Sequence, residues 1–365
     1  MSEIILHAFE AGRRGKPDEI DSQMANLIGA EILRRDFRAR FDLRVNGYYS
    51  NTEHGLRVRV AGEVSETILA QKDFEEKIAH ILQAKYREIY KEKIAPQQVI
   101  FSFAPQSDAL SFNSKKDVAG DSGTAIGVAY KHGPSYLPWE RFVAVGLRDL
   151  IDEIYLKGRF PDFINQSEAF VELTKLRADG KIEVMAEYEG VKFKRIRSIV
   201  VAVEQSSDLS VETLRQHLVE IIQDYLVHIG QKNQTDLGQP LIFINGAGHW
   251  FVGGWKVDAG SREAKPYRDG FSTYGVCEDS FSGEDPSKPS ATASLLARYI
   301  AVSVVKSDLA DFARVTLGYQ LGNSEPIMNI YTQNTAGISQ SELEKIVRSK
   351  ISVHFRDAIA LFNLR

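Results

Sequence analysis

The chain has 365 residues and a mass of 40.9 kDa, enough for more than one hydrophobic core and for two or three domains. With 43% hydrophobic and 26% charged residues, a net charge of −4 and a mean hydropathy of −0.24, it has no basic excess to draw it to nucleic acid or an anionic membrane. A single cysteine, Cys277, excludes an internal disulfide framework and a multi-cysteine zinc site, and no apolar run reaches the roughly 18 residues of a membrane helix, so the expected compartment is the cytoplasm.

Helical and strand periods alternate along the chain. Residues 18–36 place Ile20, Met24, Leu27, Ile28, Ile32 and Leu33 on one face of a helix, with Pro17 and the acidic pair Asp18 and Glu19 at its start. Strands are expected at Phe41–Tyr49 and Leu56–Val64, a long amphipathic helix from Phe74 to Lys93, and a strand at Val99–Phe103. Pro105–Asp117 reads as a polar, mobile loop. A second round has a strand at Ala125–Tyr130, a helix at Pro138–Leu156, strands at Phe170–Leu176, Lys181–Tyr188 and Ile196–Val203, and a helix at Val211–Ile229. A third has a strand at Leu241–Asn245, a long irregular stretch, a helix at Ser290–Val305, strands at Val315–Gln320 and Met328–Thr332, and a helix at Ser341–Val353.

The class this implies is α+β, as three two-layer units: residues 1–120 including the loop 105–117, residues 121–235, and residues 236–365, with strands exchanged between neighbours. Adjacent hairpin-like strands argue against a doubly wound parallel sheet.

Four segments concentrate Gly, Asp and Lys. Gly15-Lys16-Pro17-Asp18-Glu19 enters a helix, where backbone N–H groups and a cation can meet an anion and a carboxylate can hold a divalent metal; by itself it reads first as a plain helix start with capping charges. Ala119-Gly120-Asp121-Ser122-Gly123 by itself is a tight turn. In Asn245-Gly246-Ala247-Gly248-His249-Trp250-Phe251-Val252-Gly253-Gly254, continuing to Asp258, glycines admit a flat ligand that Trp250 can stack upon; a core tryptophan in a glycine-rich hairpin is the bland reading. Phe281-Ser282-Gly283-Glu284-Asp285-Pro286-Ser287-Lys288 leads into a helix and puts Lys288 where a cation opposes the helix dipole, a sign that it serves an anion.

In this order, the four segments resemble the methionine adenosyltransferase (S-adenosylmethionine synthetase) family, from about residue 8 to about residue 362. Phe-Ser-Gly-x-Asp-Pro-Ser-Lys at 281–288 is the most specific piece, supported by Phe-Ile-Asn-x-x-Gly at 243–248 and Leu-Arg-x-Asp-x-Lys at 176–181. The resemblance implies three related α+β domains, and an active site built between subunits of a homodimer or homotetramer. It also implies an enzyme that joins ATP to L-methionine with Mg²⁺. Carried over by position, Lys16, Asp121, Lys181 and Lys265 become catalytic, and Glu63, Gln106, Asp258 and Lys288 hold methionine. Asp179, Lys181, Trp250, Asp258, Lys265, Ser280 and Glu284 fall at the nucleotide, and Asp18 at the metal.

The departures from the family pattern fall on the phosphate side. Lys16 stands for the family's histidine at the leaving oxygen, while Glu19 and Glu284 stand for lysines. Arg44 occupies a potassium-ligand position, which leaves any K⁺ site altered, and Glu278-Asp279-Ser280 replaces three glycines. Carboxylates beside a triphosphate are costly unless paired or bridged by a metal, for instance Glu284 with Lys16 or Arg14. These changes keep two other readings in play. One is a specialised homologue acting on a different nucleotide or amino-acid analogue; the other is a weakly active, nucleotide-binding partner subunit.

Overall fold

The first strand, β1 (Ile4–Gly12), is an element that no periodicity announced. It carries apolar residues on both faces, with Phe9 and Ala11 in the core and Ile4 and Leu6 about half exposed, so its alternation is masked. The computed structural model describes residues 4–51, 55–106, 118–164, 168–259, 274, 282–335 and 337–365.

β1 does not stay with the segment that follows it. It pairs antiparallel with β6 (Leu176–Glu189), which turns back into β7 (Lys192–Gln205), and β8 (Leu241–Ile244) adds in parallel, giving the order β1-β6-β7-β8. Two helices cover one face of this sheet. α3 (Trp139–Lys157) buries Val143, Leu147, Ile151 and Ile154, and α4 (Val211–Asn233) buries Leu214, Leu218, Ile221 and Ile222.

A second sheet joins β2 (Phe41–Ser50) and β3 (Gly55–Val64) as an antiparallel hairpin, to which β4 (Val99–Pro105) adds in parallel after the helix α2 (Phe74–Tyr90). Phe41, Leu43 and Val45 alternate inward against α1 (Pro17–Arg35), whose Ile20, Met24, Ile28 and Ile32 are fully buried. The third sheet has the order β10-β9-β5, from β10 (Ile327–Gln333), β9 (Phe312–Tyr319) and β5 (Gly123–Tyr130). Its core is filled from α5 (Pro289–Lys306), with α6 (Gln340–Lys350) and α7 (Phe355–Leu361) at the margin.

The chain is thus α+β, with one core beside each sheet. Each linear third lends a strand to a neighbour: β1 and β8 go to the sheet of β6 and β7, and β5 goes to the sheet of β9 and β10. One expected element is different. Phe170–Leu176 was to be a strand, but Glu168–Lys175 is a 3₁₀ helix and the strand begins at Leu176. Leu173 and Leu176 are both buried three residues apart, a spacing that one continuous strand would send to opposite faces.

The sheet faces away from the helices keep apolar side chains in solvent, among them Leu6, Ile100, Val200, Phe243, Ile327 and Tyr331. Among the described residues, no helix is long and apolar enough to cross a membrane.

Candidate active site

The expected site residues fall into two groups, built on different parts of the fold. The first forms where β1 turns into α1 beside the start of β6. Arg13 locks that turn: its side chain is fully buried, with Nε on Asp152 Oδ1 at 2.9 Å and Nη1 on the Arg177 and Asp179 carbonyls at 2.7 and 3.2 Å. Its backbone N–H also reaches the Gly180 carbonyl, at 2.8 Å. Tyr90 donates its hydroxyl to the Gly15 carbonyl from α2.

Held this way, Lys16 caps α1 and Pro17 takes the first helical position. Lys16 Nζ lies 2.8 Å from Oδ1 of Asp18, which is almost fully buried and also accepts the Glu19 backbone N–H at 3.1 Å. Burial disfavours the Lys16 ammonium, but Asp18, Glu10 and Asp258 outweigh it and raise its pKa, so the side chain is charged at neutral pH.

Asp179 and Glu204 clamp the glycine-rich segment against this turn. Asp179 accepts the N–H groups of Gly180 at 2.6 Å and Gly254 at 2.7 Å, and Glu204 accepts those of Gly253 at 2.9 Å and Asp179 at 3.2 Å. Burial pushes Asp179 up to about 6, against the pull of its two backbone donors, and it raises Glu204 as well. Gly254 has φ +65°, and a Cβ there would lie 2.4 Å from the Tyr90 hydroxyl, so only glycine fits. Trp250 then stands partly exposed, its indole N–H on the Val252 carbonyl at 2.7 Å.

An open cleft of about 420 Å³ results, lined by Glu10, Lys16, Asp179, Gly180, Lys181, Ala202, Trp250 and Asp258. It unites five of the expected residues, Lys16, Asp179, Lys181, Trp250 and Asp258, with Asp18 at its edge through Lys16. Lys181 Nζ pairs with Glu10 Oε2 at 2.8 Å and keeps 44% of its side chain exposed. A larger cavity, about 780 Å³ between the end of α4 and residues 234–242, contains none of the expected residues.

The second group lies on β2 and at the start of α5. Asp285, wholly buried, receives Arg40 Nε at 2.8 Å, and Ser287 N–H bonds to its other oxygen at 2.8 Å. Arg40 also reaches the Gly120 carbonyl at 3.2 Å, and the Gly120 N–H reaches the Ser287 carbonyl at 2.8 Å. This lattice sets Lys288 as the N-cap of α5, with Nζ bonded to Asp42 and 3.4 Å from Asp121. Burial opposes the Lys288 charge, yet Asp42, Glu284 and Asp121 hold its pKa above the usual lysine value. Glu284 accepts from Ser290 Oγ, and Arg14 turns toward Asp152 instead, at 4.0 Å.

Glu63 is exposed on β3, directly opposite Asp42. Gln106 is 7% exposed, and its side-chain carbonyl oxygen has no hydrogen-bond partner among the described residues. Arg44 is exposed on β2. Lys265, Ser280 and residues 107–117 lie outside the described residues.

Sequence reasoning missed Glu10, Arg13, Asp42, Glu204 and the Arg40–Asp285 pair. Glu10 was hidden with its strand. Asp42 carried a usable signal, since the inward Phe41, Leu43 and Val45 leave it on the open face. Arg13 and Glu204 carried none, because their partners are 25 or more positions away.

Comparison with known proteins is consistent along the chain. The central domain of S-adenosylmethionine synthetase matches residues 116–250, and the C-terminal domain of S-adenosylmethionine synthetase matches residues 252–365. The S-adenosylmethionine synthase of Aquifex aeolicus (strain VF5) is 28% identical over 371 residues, covering 99% of this chain and 90% of that protein. These matches run in domain order along the chain, and the chain belongs to the S-adenosylmethionine synthetase family of adenosyltransferase enzymes.

Proposed function

We propose that this enzyme makes S-adenosylmethionine from ATP and L-methionine by direct displacement at the ribose C5′. The observation that carries this reading is the cleft that gathers Lys16, Lys181, Trp250 and Asp258 beside Asp18. The methionine sulfur, already a nucleophile, forms the new bond to C5′, and the C5′–O bond breaks with its electron pair going to triphosphate. The protein's task is to align sulfur with carbon and to stabilise charge on the departing oxygen. Lys16, held cationic among three carboxylates, is placed for that oxygen. Lys181, half exposed at the cleft wall, suits the phosphates, and Trp250 offers a flat face for adenine.

The first group also suits Mg²⁺, because its donors are hard carboxylate oxygens. Among the described residues no three His, Cys, Asp or Glu side chains converge as a ready-made metal cage. Mg²⁺ is often held by one or two carboxylates plus substrate phosphates, and Asp18 with Asp258 or Glu10 can supply those carboxylates. When bound, the ion supplies countercharge to the phosphates. The Arg44 position does not fit K⁺, since a guanidinium has no lone pair for a cation; Arg44 brings its own charge, and no step uses K⁺ there.

Lys288, Glu63 and Gln106 form the methionine side in this reading, with Asp121 beside Lys288, on a separate part of the chain from the cleft that holds Asp258, the fourth residue expected at methionine. A homodimer or homotetramer that completes each cleft with residues of a second copy agrees with the exposed apolar sheet faces. Triphosphate hydrolysis is the less supported step, because Glu19 and Glu284 stand where the family pattern has lysines. The second reading, a homologue specialised for an amino-acid analogue, gains from Asp42 sitting on Lys288.

The test is direct. Purified protein is incubated with ATP, Mg²⁺ and methionine, and adenosyl and phosphate products are followed by mass spectrometry beside a Lys181→Ala control. S-adenosylmethionine above the control is expected. Its absence would overturn the assignment.

A further inference from the structure

Trp250 presents its ring to the cleft from a run that side-chain packing does not hold. Its neighbours His249, Phe251 and Val252 all face solvent, Phe251 at 44% and Val252 at 49% exposed. Among the described residues nothing lies within 4 Å of where a Cβ would stand on Gly246 or Gly248. The run also borders a second cavity, of about 260 Å³, which Phe251, Val252, Gly253, Trp255, Tyr155 and Glu204 line and Trp250 does not. The segment thus meets open space both in the cleft and in this cavity. Chain with so few packing contacts takes up many positions unless hydrogen bonds fix it.

Two adjacent residues at the end of β7 supply such bonds. The Gln205 N–H donates to the Trp250 carbonyl at 2.9 Å, and Glu204 Oε1 accepts the Gly253 N–H at 2.9 Å. Glu204 Oε2 accepts the Asp179 N–H at 3.2 Å, so one carboxylate ties the segment to β6, whose Asp179, Gly180 and Lys181 line the same cleft. Asp179 adds the Gly254 N–H, one residue further from Trp250. Glu204 is 8% exposed, and a Cβ on Gly253 would come within 2.9 Å of its Oε2, so the backbone lies directly against it. The Trp250 indole N–H closes back on the Val252 carbonyl at 2.7 Å, which makes the direction of the ring follow the backbone that Gln205 and Glu204 hold.

We propose that Glu204 is a positioning residue for the nucleotide base, which acts by holding the Trp250–Gly253 backbone and so fixing the Trp250 ring. This rests on the reading above, in which adenine stacks on Trp250. A ring held in one orientation binds a flat base more tightly than the same ring spread over several, because its ordering cost is met before the ligand arrives. Glu204 therefore acts on the share of affinity that comes from the base. The share that comes from the phosphates is left to Lys16 and Lys181.

The experiment measures affinity by calorimetry, with Mg²⁺ and without methionine, for wild type, Glu204→Gln, Glu204→Ala, Trp250→Ala and the double variant Glu204→Ala with Trp250→Ala. One probe is the imido analogue of ATP, and the other is inorganic triphosphate, which has no base. Trp250→Ala is expected to weaken the analogue by about tenfold, within the ordinary worth of one base–aromatic stack, and to leave triphosphate unchanged. Glu204→Ala is expected to weaken the analogue by about fivefold, again without effect on triphosphate. Glu204→Gln is expected to lose less, since its amide oxygen still accepts from Gly253. The double variant is expected to bind the analogue no more weakly than Trp250→Ala alone, and additive losses overturn the proposal. Equal losses for both probes in the Glu204 variants show a merely structural role and overturn it too. So does unchanged analogue binding in those variants beside a weakened Trp250→Ala. Unchanged analogue binding in Trp250→Ala takes adenine off that ring, which overturns that part of the proposed function and this proposal with it. Circular dichroism checks folding, and if Glu204→Ala does not fold, the nearly isosteric Glu204→Gln decides by the same two probes.

Discussion

Arg40 and Asp285 lie 245 positions apart, yet they meet at 2.8 Å with both side chains essentially out of solvent. Two buried charges are tolerated here because each is paired and hydrogen-bonded further, Asp285 to Ser287 and Arg40 to Gly120. The pair ties the edge of β2 to the segment that presents Lys288, so it makes the second group possible without facing a ligand itself.

Removing one partner leaves the other charge stranded. Asp285→Ala is expected to cost about 3–5 kcal/mol of stability, read from urea unfolding. Replacing both, as Arg40→Met with Asp285→Leu, is expected to recover much of that loss. If the double variant is as unstable as the single one, the cost comes from packing instead of stranded charge.

Trp255 is the packing counterpart. It is 1% exposed, its ring stacks on Tyr86 at 5.0 Å between centroids, and its indole N–H donates to Asp21 Oδ1 at 2.9 Å. Trp255→Ala is expected to cost about 3–5 kcal/mol. A Cβ on Gly47 would sit 1.8 Å from the Trp255 ring, so Gly47→Ala is also expected to destabilise, by about 1–3 kcal/mol. Thermal unfolding of both variants checks these values.

Lys16 yields a pH-dependent prediction. Its pKa is raised, so the wild-type side chain keeps its charge through neutral pH. Lys16→Ala is expected to lower kcat by about 10²–10³ fold, the usual cost of losing one group that stabilises a leaving oxygen. Lys16→His is expected to restore part of the rate at low pH and to lose it as pH rises through about 6.5, the ordinary imidazole value. A Lys16→His profile as flat as that of wild type removes Lys16 from the leaving oxygen.

Asp179 gives a stability prediction with a definite sign. Its folded pKa is raised from 3.8 to about 6, so between those values the folded state binds more protons than the unfolded one. Stability is therefore lost as pH rises through this window and is level above it, with a contribution of roughly 3 kcal/mol at most. Asp179→Asn removes the ionisation. Its urea midpoint is expected to gain on that of wild type between about pH 4 and about pH 6. A constant difference between the two midpoints refutes the shift.

What the sequence determined by itself was whatever depends on local spacing. The inward alternation of Phe41, Leu43 and Val45, the 3.6-residue period of Ile20, Met24, Ile28 and Ile32, and the proline that starts α1 all follow from neighbours a few residues apart. Short motifs likewise singled out Lys16, Asp179, Lys181, Trp250 and Asp258, which share one cleft. The tertiary structure alone decided which strands share a sheet, and so which charges meet. β1 crosses to β6, and only that pairing sets Glu10 beside Lys181 and buries Arg13 against Asp152. The same is true of Asp42, an unremarked outward residue until the register of β2 sets it between Glu63 and Glu284 and against Lys288. The physical reason is common to all three. Their electrostatic partners are 139–246 positions or a strand pairing away, and no local periodicity records a distance that only the folded chain creates.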